Sequence, residues 1–190
     1  MITALDNNTA LVLIDFQNMV VITPVAHSID DVLNNVNKLI AAFREKRLPI
    51  VVVNVKPTDA AWMRSRKDVK MPAIPDDENL YKITSKLDID SSDIFITKHT
   101  WNAFFETALQ EQLQKNAVTG IVLAGISTSI GVEGTARAAS ELGYNVSFAL
   151  DAMTDRSQEA HERSIQFIFP RMGETGTTED IIATLANPVN

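Results

Sequence analysis

Between Gly120 and Gly143 the sequence changes its period, and that change limits the folds able to hold it. Gly120–Ala124 is a continuous apolar run. A short run without alternation suits a strand covered on both faces. Gly125–Gly131 is a polar turn punctuated by glycine, and small residues then continue to Gly143 at helical spacing. Strand, tight loop and helix in that order set the loop at the carboxyl end of a sheet, where open α/β proteins keep their ligands.

The same unit recurs along the chain. Ala10–Ile14 is an apolar run ending in Asp15. Ile29, Val32, Leu33, Val36, Leu39, Ile40 and Phe43 then repeat at helical spacing, with Ser28 placed to cap them. Pro49–Val55 reads as a second buried strand and Ile94–Thr97 as a third, ending at Lys98. Asn102 is placed to cap a helix carrying Phe105, Ala108, Leu109 and Leu113. Asn145–Leu150 is the next strand, ending at Asp151, and Ser157–Phe169 the next helix. Glu174–Thr177 reads as a short last strand, and Thr178 opens a helix with Ile181, Ile182 and Leu185. Strands alternating with helices imply right-handed crossovers. The expectation is one three-layer α/β/α domain over residues 1–190, with a mostly parallel, doubly wound sheet.

Lys56–Asp93 breaks the pattern. It is long, punctuated by proline and irregular, with short helices expected near Trp62 and Leu80. Its charge is segregated: Lys56–Lys70 holds five basic and two acidic residues, Met71–Asp93 six acidic and two basic. Long connections in compact domains tend to be functional; a solvated excursion is the other reading.

Composition removes several classes of function. With a net charge of −7 and no basic stripe, the chain is not a nucleic-acid binder. There is no cysteine, so disulfides, thiolate-ligated metals and a cysteine nucleophile are all excluded. Met1–Asn8 lacks a basic start followed by an apolar core, and no apolar run approaches the ~20 residues needed to span a bilayer. The expected location is the cytoplasm, without membrane contact. His27, His99 and His161 show no zinc spacing, so neither metal nor cofactor is expected.

In a parallel sheet the strand ends Asp15, Lys98 and the Gly125–Gly131 loop share one edge. An Asp and a Lys facing one cleft form an acid/base pair that perturb each other. Otherwise Asp15 caps a turn and Lys98 is a solvated loop residue. The loop has neither a dinucleotide fingerprint nor a following Gly-Lys-Ser/Thr, and it is not a G-x-S-x-G elbow. Ser127, Thr128 and Ser129 are read as helix caps. Gly131 either lets helix pack close on strand or forms a backbone N–H cradle for an anion. His161 is read as a packing residue of its helix. Trp101, Phe104 and Phe105 are core residues or, following Lys98, line a pocket.

Four blocks in this order resemble the isochorismatase-like hydrolases, also called the cysteine hydrolase superfamily. They are A-L-V-L-I-D-F-Q-N, T-K-H-T-W-N-A-F-F-E-T-A-L, L-A-G-I-S-T-S-I-G-V-E-G-T-A-R-A-A-S-E-L-G-Y-N-V and D-A-M-T-D-R-S-Q-E-A-H. The resemblance covers nearly the whole chain and implies a triad of Asp, Lys and Cys. The Asp falls on Asp15 and the Lys on Lys98, but the nucleophile's position is Gly131. It further implies a cis peptide at Ile126–Ser127. The candidate substrate-binding positions are Phe16, Ile126, Ser127, Ile130, Trp101 and Phe104. Charge segregation adds Arg64, with Arg66, Lys67 and Lys70, as a carboxylate clamp.

Amidase members of the family need a thiolate, which Gly131 cannot supply. Nicotinamidases also carry an Asp/His/His metal site, for which nothing after the second strand matches. The true isochorismatases likewise have Gly at this position and hydrolyse a vinyl ether with an acid. The resemblance therefore implies a hydrolase acting on a small anionic molecule, with Asp15 as proton donor, and assembly into a dimer or larger homo-oligomer. Two alternatives stay open. One is a catalytically silent relative that binds a metabolite or a protein partner. The other is hydrolysis of an amide or ester by water that Asp15 activates.

Overall fold

The computed structural model describes residues 1–56, 60–69 and 76–186. Its six strands are β1 (Thr9–Ile14), β2 (Ile50–Val55), β3 (Ile94–Lys98), β4 (Gly120–Ile126), β5 (Asn145–Thr154) and β6 (Gly173–Gly176). They form one sheet in the order β3-β2-β1-β4-β5-β6, and every neighbouring pair is parallel. From β1 the chain winds outward to β3, then returns to lay β4 on the other side of β1. The order thus reverses between β1 and β4, which opens a crevice at their carboxyl ends.

Helices cover both faces. They are α1 (Asn18–Val21), α2 (Ile29–Glu45), α3 (Glu78–Tyr81), α4 (Leu109–Lys115), α5 (Glu133–Glu141), α6 (Gln158–Arg163) and α7 (Thr178–Ala186). Strand side chains alternate between two cores. Leu11, Leu13, Val52, Val122 and Ala124 pack with α2 residues Val36, Leu39, Ile40 and Phe43 and with Ile181 of α7. Val12, Ile14, Val51, Val53, Ile121 and Leu123 pack on the other face with Leu109, Leu113, Ala136 and Ala139. Because β1 and β4 are buried on both faces, they read as unbroken apolar runs. Ser28 caps α2 as expected, its Oγ accepting the Asp31 N–H at 3.3 Å. None of the described helices is long and apolar enough to cross a membrane.

Three local expectations are corrected. The Asn102 side chain does not start a helix; its Oδ1 accepts the Phe104 N–H at 2.7 Å and closes a turn. Helix α4 begins only at Leu109, so Phe105 and Ala108 precede it. The fifth strand does not end at Asp151. Its register against β4 slips between the pairs Leu123–Phe148 and Gly125–Met153, and it continues to Thr154. The helix expected over Ser157–Phe169 is regular only to Arg163, then widens into a π-helical turn over Ser164–Ile168. Within Lys56–Asp93, short helical turns lie at Ala61–Arg64 and Glu78–Tyr81, near the expected positions.

The slip in β5 frees Asp151 for another task. Its Oδ1 accepts the Thr178 N–H at 2.7 Å and the Thr178 hydroxyl at 2.9 Å, capping α7 from the neighbouring strand. Asp151→Ala should lower the free energy of unfolding by about 0.5–2 kcal/mol. Asp151→Asn, which keeps an acceptor oxygen, should lose less. Urea midpoints at matched slope measure both.

Candidate active site

The polypeptide turns sharply as it leaves β1. Asp15 has φ +58°, the left-handed region that Asp tolerates better than most residues. Its N–H donates to Val53 O at 2.9 Å and its own carbonyl accepts the Gln17 N–H at 2.8 Å. Gln17 then locks the turn. Fully buried, it donates from Nε2 to Val55 O at 3.0 Å and Tyr81 O at 2.9 Å, and accepts the Val55 N–H at 2.8 Å. Sequence reasoning passed over Gln17, since a lone Gln after a strand reads as solvated loop.

Lys98, at the end of β3, reaches over β2 to Asp15. Its Nζ lies 2.8 Å from Asp15 Oδ2 and 2.8 Å from Trp101 O. Both side chains are buried. Burial pushes the Asp15 carboxyl up to about 6, while the charge and hydrogen bond of Lys98 pull it down. Desolvation therefore outweighs the ion pair. Asp15 Oδ1 is buried without a hydrogen-bond partner. A carboxyl with one oxygen pinned and one unpaired, half protonated near pH 6, is suited to giving or taking a proton at Oδ1.

Gly131 closes the site. A Cβ added there would lie 3.0 Å from Asp15 Oδ2, 3.2 Å from Lys98 Nζ and 3.0 Å from Ile14 Cγ2. The loop thus sets its backbone against the ion pair, and any side chain at 131 would point between the two charges. Gly125 lets β4 come that close to β1: a Cβ there would fall 2.6 Å from Ile14 Cβ. The Ile126–Ser127 peptide bond is cis, as the resemblance implied, and Thr128–Val132 forms a π-helical turn leading into α5.

The three hydroxyls of this loop do not cap α5, contrary to expectation. No side chain caps the π-helical turn from Ser127. The Thr128 hydroxyl pairs with His161 Nδ1 at 2.8 Å. Ser129 gives both its N–H and its hydroxyl to Asp155 Oδ2, each at 2.8 Å. Just past the turn, Glu133 accepts from the Ser164 hydroxyl at 2.7 Å and pairs with Arg137. Asp155, His161 and Ser164 all follow β5, so one segment braces the loop from outside. His161 is buried within ring contact of His27, at 4.5 Å between centroids; burial and the His27 charge hold its imidazole below the usual range. The Ile130 and Val132 N–H groups both go to Ser127 O at 3.2 Å. With Ser129 also committed, three of the loop's N–H groups are not available to the expected cradle.

The remaining candidates separate. Ile126 is buried in the core and Ile130 is exposed; Ser127, half-buried, starts the loop. Phe16 is buried in the core shared with α2, so its ring is a packing element. Phe104 stacks on Tyr144 at 5.8 Å between centroids and packs against the second core. Trp101 is 56% exposed and is not a core residue. Arg64 is exposed at the end of its helical turn. Arg66 and Lys67 follow it on the surface, and Lys70 lies outside the described residues.

Known proteins resemble this chain over most of its length. The family description "Isochorismatase domain" matches residues 9–180. An uncharacterized isochorismatase family protein, YecD of Escherichia coli O157:H7, is 40% identical over 182 residues, covering 93% of this chain and 96% of that one. A second, YwoC of Bacillus subtilis, is 39% identical over 182 residues, covering 92% of each. The structure of an isochorismatase family protein from Burkholderia thailandensis superposes with a TM-score of 0.92 at 35% identity, covering 97% of this chain and 98% of that one. This chain is therefore a member of the isochorismatase-like hydrolase family.

Proposed function

We propose that this chain hydrolyses a vinyl-ether bond in a small anionic metabolite, with Asp15 as the acid. The observation that carries the reading is the Asp15 carboxyl. Burial pushes it up to about 6, its Oδ1 has no partner, and its Oδ2 faces a position with no side chain. The chain has no cysteine, so the thiolate route to an amide carbonyl is closed to it. A vinyl ether needs a proton rather than a nucleophile.

The steps balance with one carboxyl and one water. Asp15 gives its proton to the terminal CH₂, and the alkene electron pair forms the new C–H bond. The ether oxygen stabilises the cation as an oxocarbenium ion. Water adds to the cationic carbon and returns a proton to the Asp15 carboxylate. The hemiketal then breaks its bond to the leaving alcohol, releasing pyruvate or a related keto acid. Lys98 has three N–H donors. Two go to Asp15 and Trp101 O; the third is available to a substrate carboxylate. An anion bound there opposes ionisation of Asp15 and raises its pKa further.

Two outcomes follow. Asp15→Asn should reduce kcat/KM for pyruvate release from isochorismate or a simpler enol-pyruvyl ether by about 10²–10⁴. Full activity in that variant, or no release by the parent protein across such ethers, would sink the reading. The acid must be protonated to work, so activity is retained at low pH and lost as pH rises through the Asp15 value. In the free protein kcat/KM should fall about tenfold per pH unit above about 6. The corresponding limb in kcat should lie higher, because bound anion raises the pKa. A profile that climbs through this range would assign Asp15 as a base instead.

A further inference from the structure

Inside the loop that carries Gly131, the N–H groups of Ile130 and Val132 reach Ser127 O only at 3.2 Å, and no side chain caps the π-helical turn. Shorter bonds come from outside, and one residue receives two of them. Asp155 Oδ2 accepts both the N–H and the hydroxyl of Ser129 at 2.8 Å. Its Oδ1 accepts the Ser157 N–H at 3.3 Å, and its carbonyl accepts the Ala26 N–H at 2.8 Å. Asp155 therefore ties the middle of the loop to the start of α6 and to the segment before α2.

The Asp155 side chain is buried. Among the described residues, no lysine or arginine forms an ion pair with it. A carboxylate in that position is costly unless its hydrogen bonds are made, and here both oxygens accept. Its titratable neighbour is His161 of α6, whose imidazole feels the charges of His27, Asp155 and Glu162. The charge facing Asp15 is Lys98. Burial and Lys98 set the proton affinity of Asp15, and Asp155 is not among the influences on it. What Asp155 can reach is the burial. Two residues past Ser129, the Gly131 backbone lies against the pair: a Cβ there would fall 3.0 Å from Asp15 Oδ2 and 3.2 Å from Lys98 Nζ.

We propose that Asp155 is a positioning residue, gripping Ser129 so that the Gly131 backbone stays against the Lys98–Asp15 pair and keeps water from it. As a contribution to turnover this rests on the acid role proposed for Asp15; as a control on that carboxyl's surroundings it does not. Without the grip, the loop is held near its two ends by the Thr128–His161 and Glu133–Ser164 bonds, and its middle is free to lift. Water that then reaches Asp15 removes the desolvation that opposes Lys98. The attraction of Lys98 prevails, and the carboxyl gives up its proton at lower pH.

The full chain tests this without a substrate. Carboxyl carbon resonances are followed by NMR through the acid range, and the Asp15 signal is identified by its loss in Asp15→Asn. Asp155→Ala should move the Asp15 midpoint down from about 6 by about one pH unit. Ser129→Ala, which removes one of the two short bonds, should move it the same way by less. Asp155→Asn keeps an oxygen for Ser129 and should stay close to the parent. Asp151→Ala, which loosens α7 instead, should leave the midpoint where it is. In assays of pyruvate release, Asp155→Ala should lose about tenfold in kcat/KM at neutral pH. That loss should disappear below the midpoint, where Asp15 is protonated in both proteins; a merely structural defect would persist at every pH. Circular dichroism checks folding, and Ser129→Ala decides the matter if Asp155→Ala does not fold. The inference is overturned by an unmoved Asp15 midpoint in the deciding variant, by Asp155→Asn moving it as far as Asp155→Ala, or by Asp151→Ala moving it equally. A moved midpoint in a chain whose parent releases no pyruvate would overturn the vinyl-ether reading alone.

Discussion

A buried ion pair between Lys98 and Asp15 organises the sheet edge that carries the candidate site. The two residues sit at the ends of β3 and β1, with β2 between them. Two strand spacings amount to about 10 Å, and only a long, flexible side chain crosses that gap. Lysine supplies the reach, and the left-handed turn at Asp15 supplies the approach from the other side. Removing either partner would leave a buried charge uncompensated, a loss of about 3–5 kcal/mol. The pair is also unequal. Lys98 is engaged at both Asp15 Oδ2 and Trp101 O, whereas Asp15 keeps one oxygen without a partner. That asymmetry is what the proposed acid role of Asp15 rests on.

The second constraint is how the Gly131 loop is held. A strand and a helix alone would let the loop breathe at their junction. Here Asp155, His161 and Ser164 grip Ser129, Thr128 and Glu133 in turn. The register slip in β5 makes this possible. The inserted residues carry the strand onward to Thr154 and bring Asp155 level with the loop. π-helical turns occur on both sides of the contact, at Thr128–Val132 and Ser164–Ile168. Such turns are often found at functional sites.

Much of this was legible in the residues. The unbroken runs at Ala10–Ile14 and Gly120–Ala124 announce strands buried on both faces, and the alternation with helices gives the layers. The strand ends Asp15 and Lys98 follow from parallel geometry, and the family blocks supplied Gly131 and the cis bond. What was hidden depends on which partner a polar side chain meets across the fold. Ser and Thr before a helix read locally as caps, yet Thr128 and Ser129 find His161 and Asp155 33 and 26 residues away in sequence. Asp151 looked like a strand end because the slip in β5 has no periodic signature. Trp62 meets Trp101 edge to face across two segments that have no common pattern.

The pinned carboxyl has a stereochemical consequence. An acid anchored through Oδ2, with Oδ1 its one oxygen lacking a hydrogen-bond partner, cannot present its proton from several directions. In the vinyl-ether reading, a substrate held against the Gly131 backbone would take that proton on one face of its double bond. A CH₂ group carrying one hydrogen and one deuterium of known geometry, protonated in tritiated water, would then become a methyl group of a single handedness. An alkene protonated by free solvent acid would give both hands equally. One unpartnered oxygen atom would thus be written into the chirality of the product.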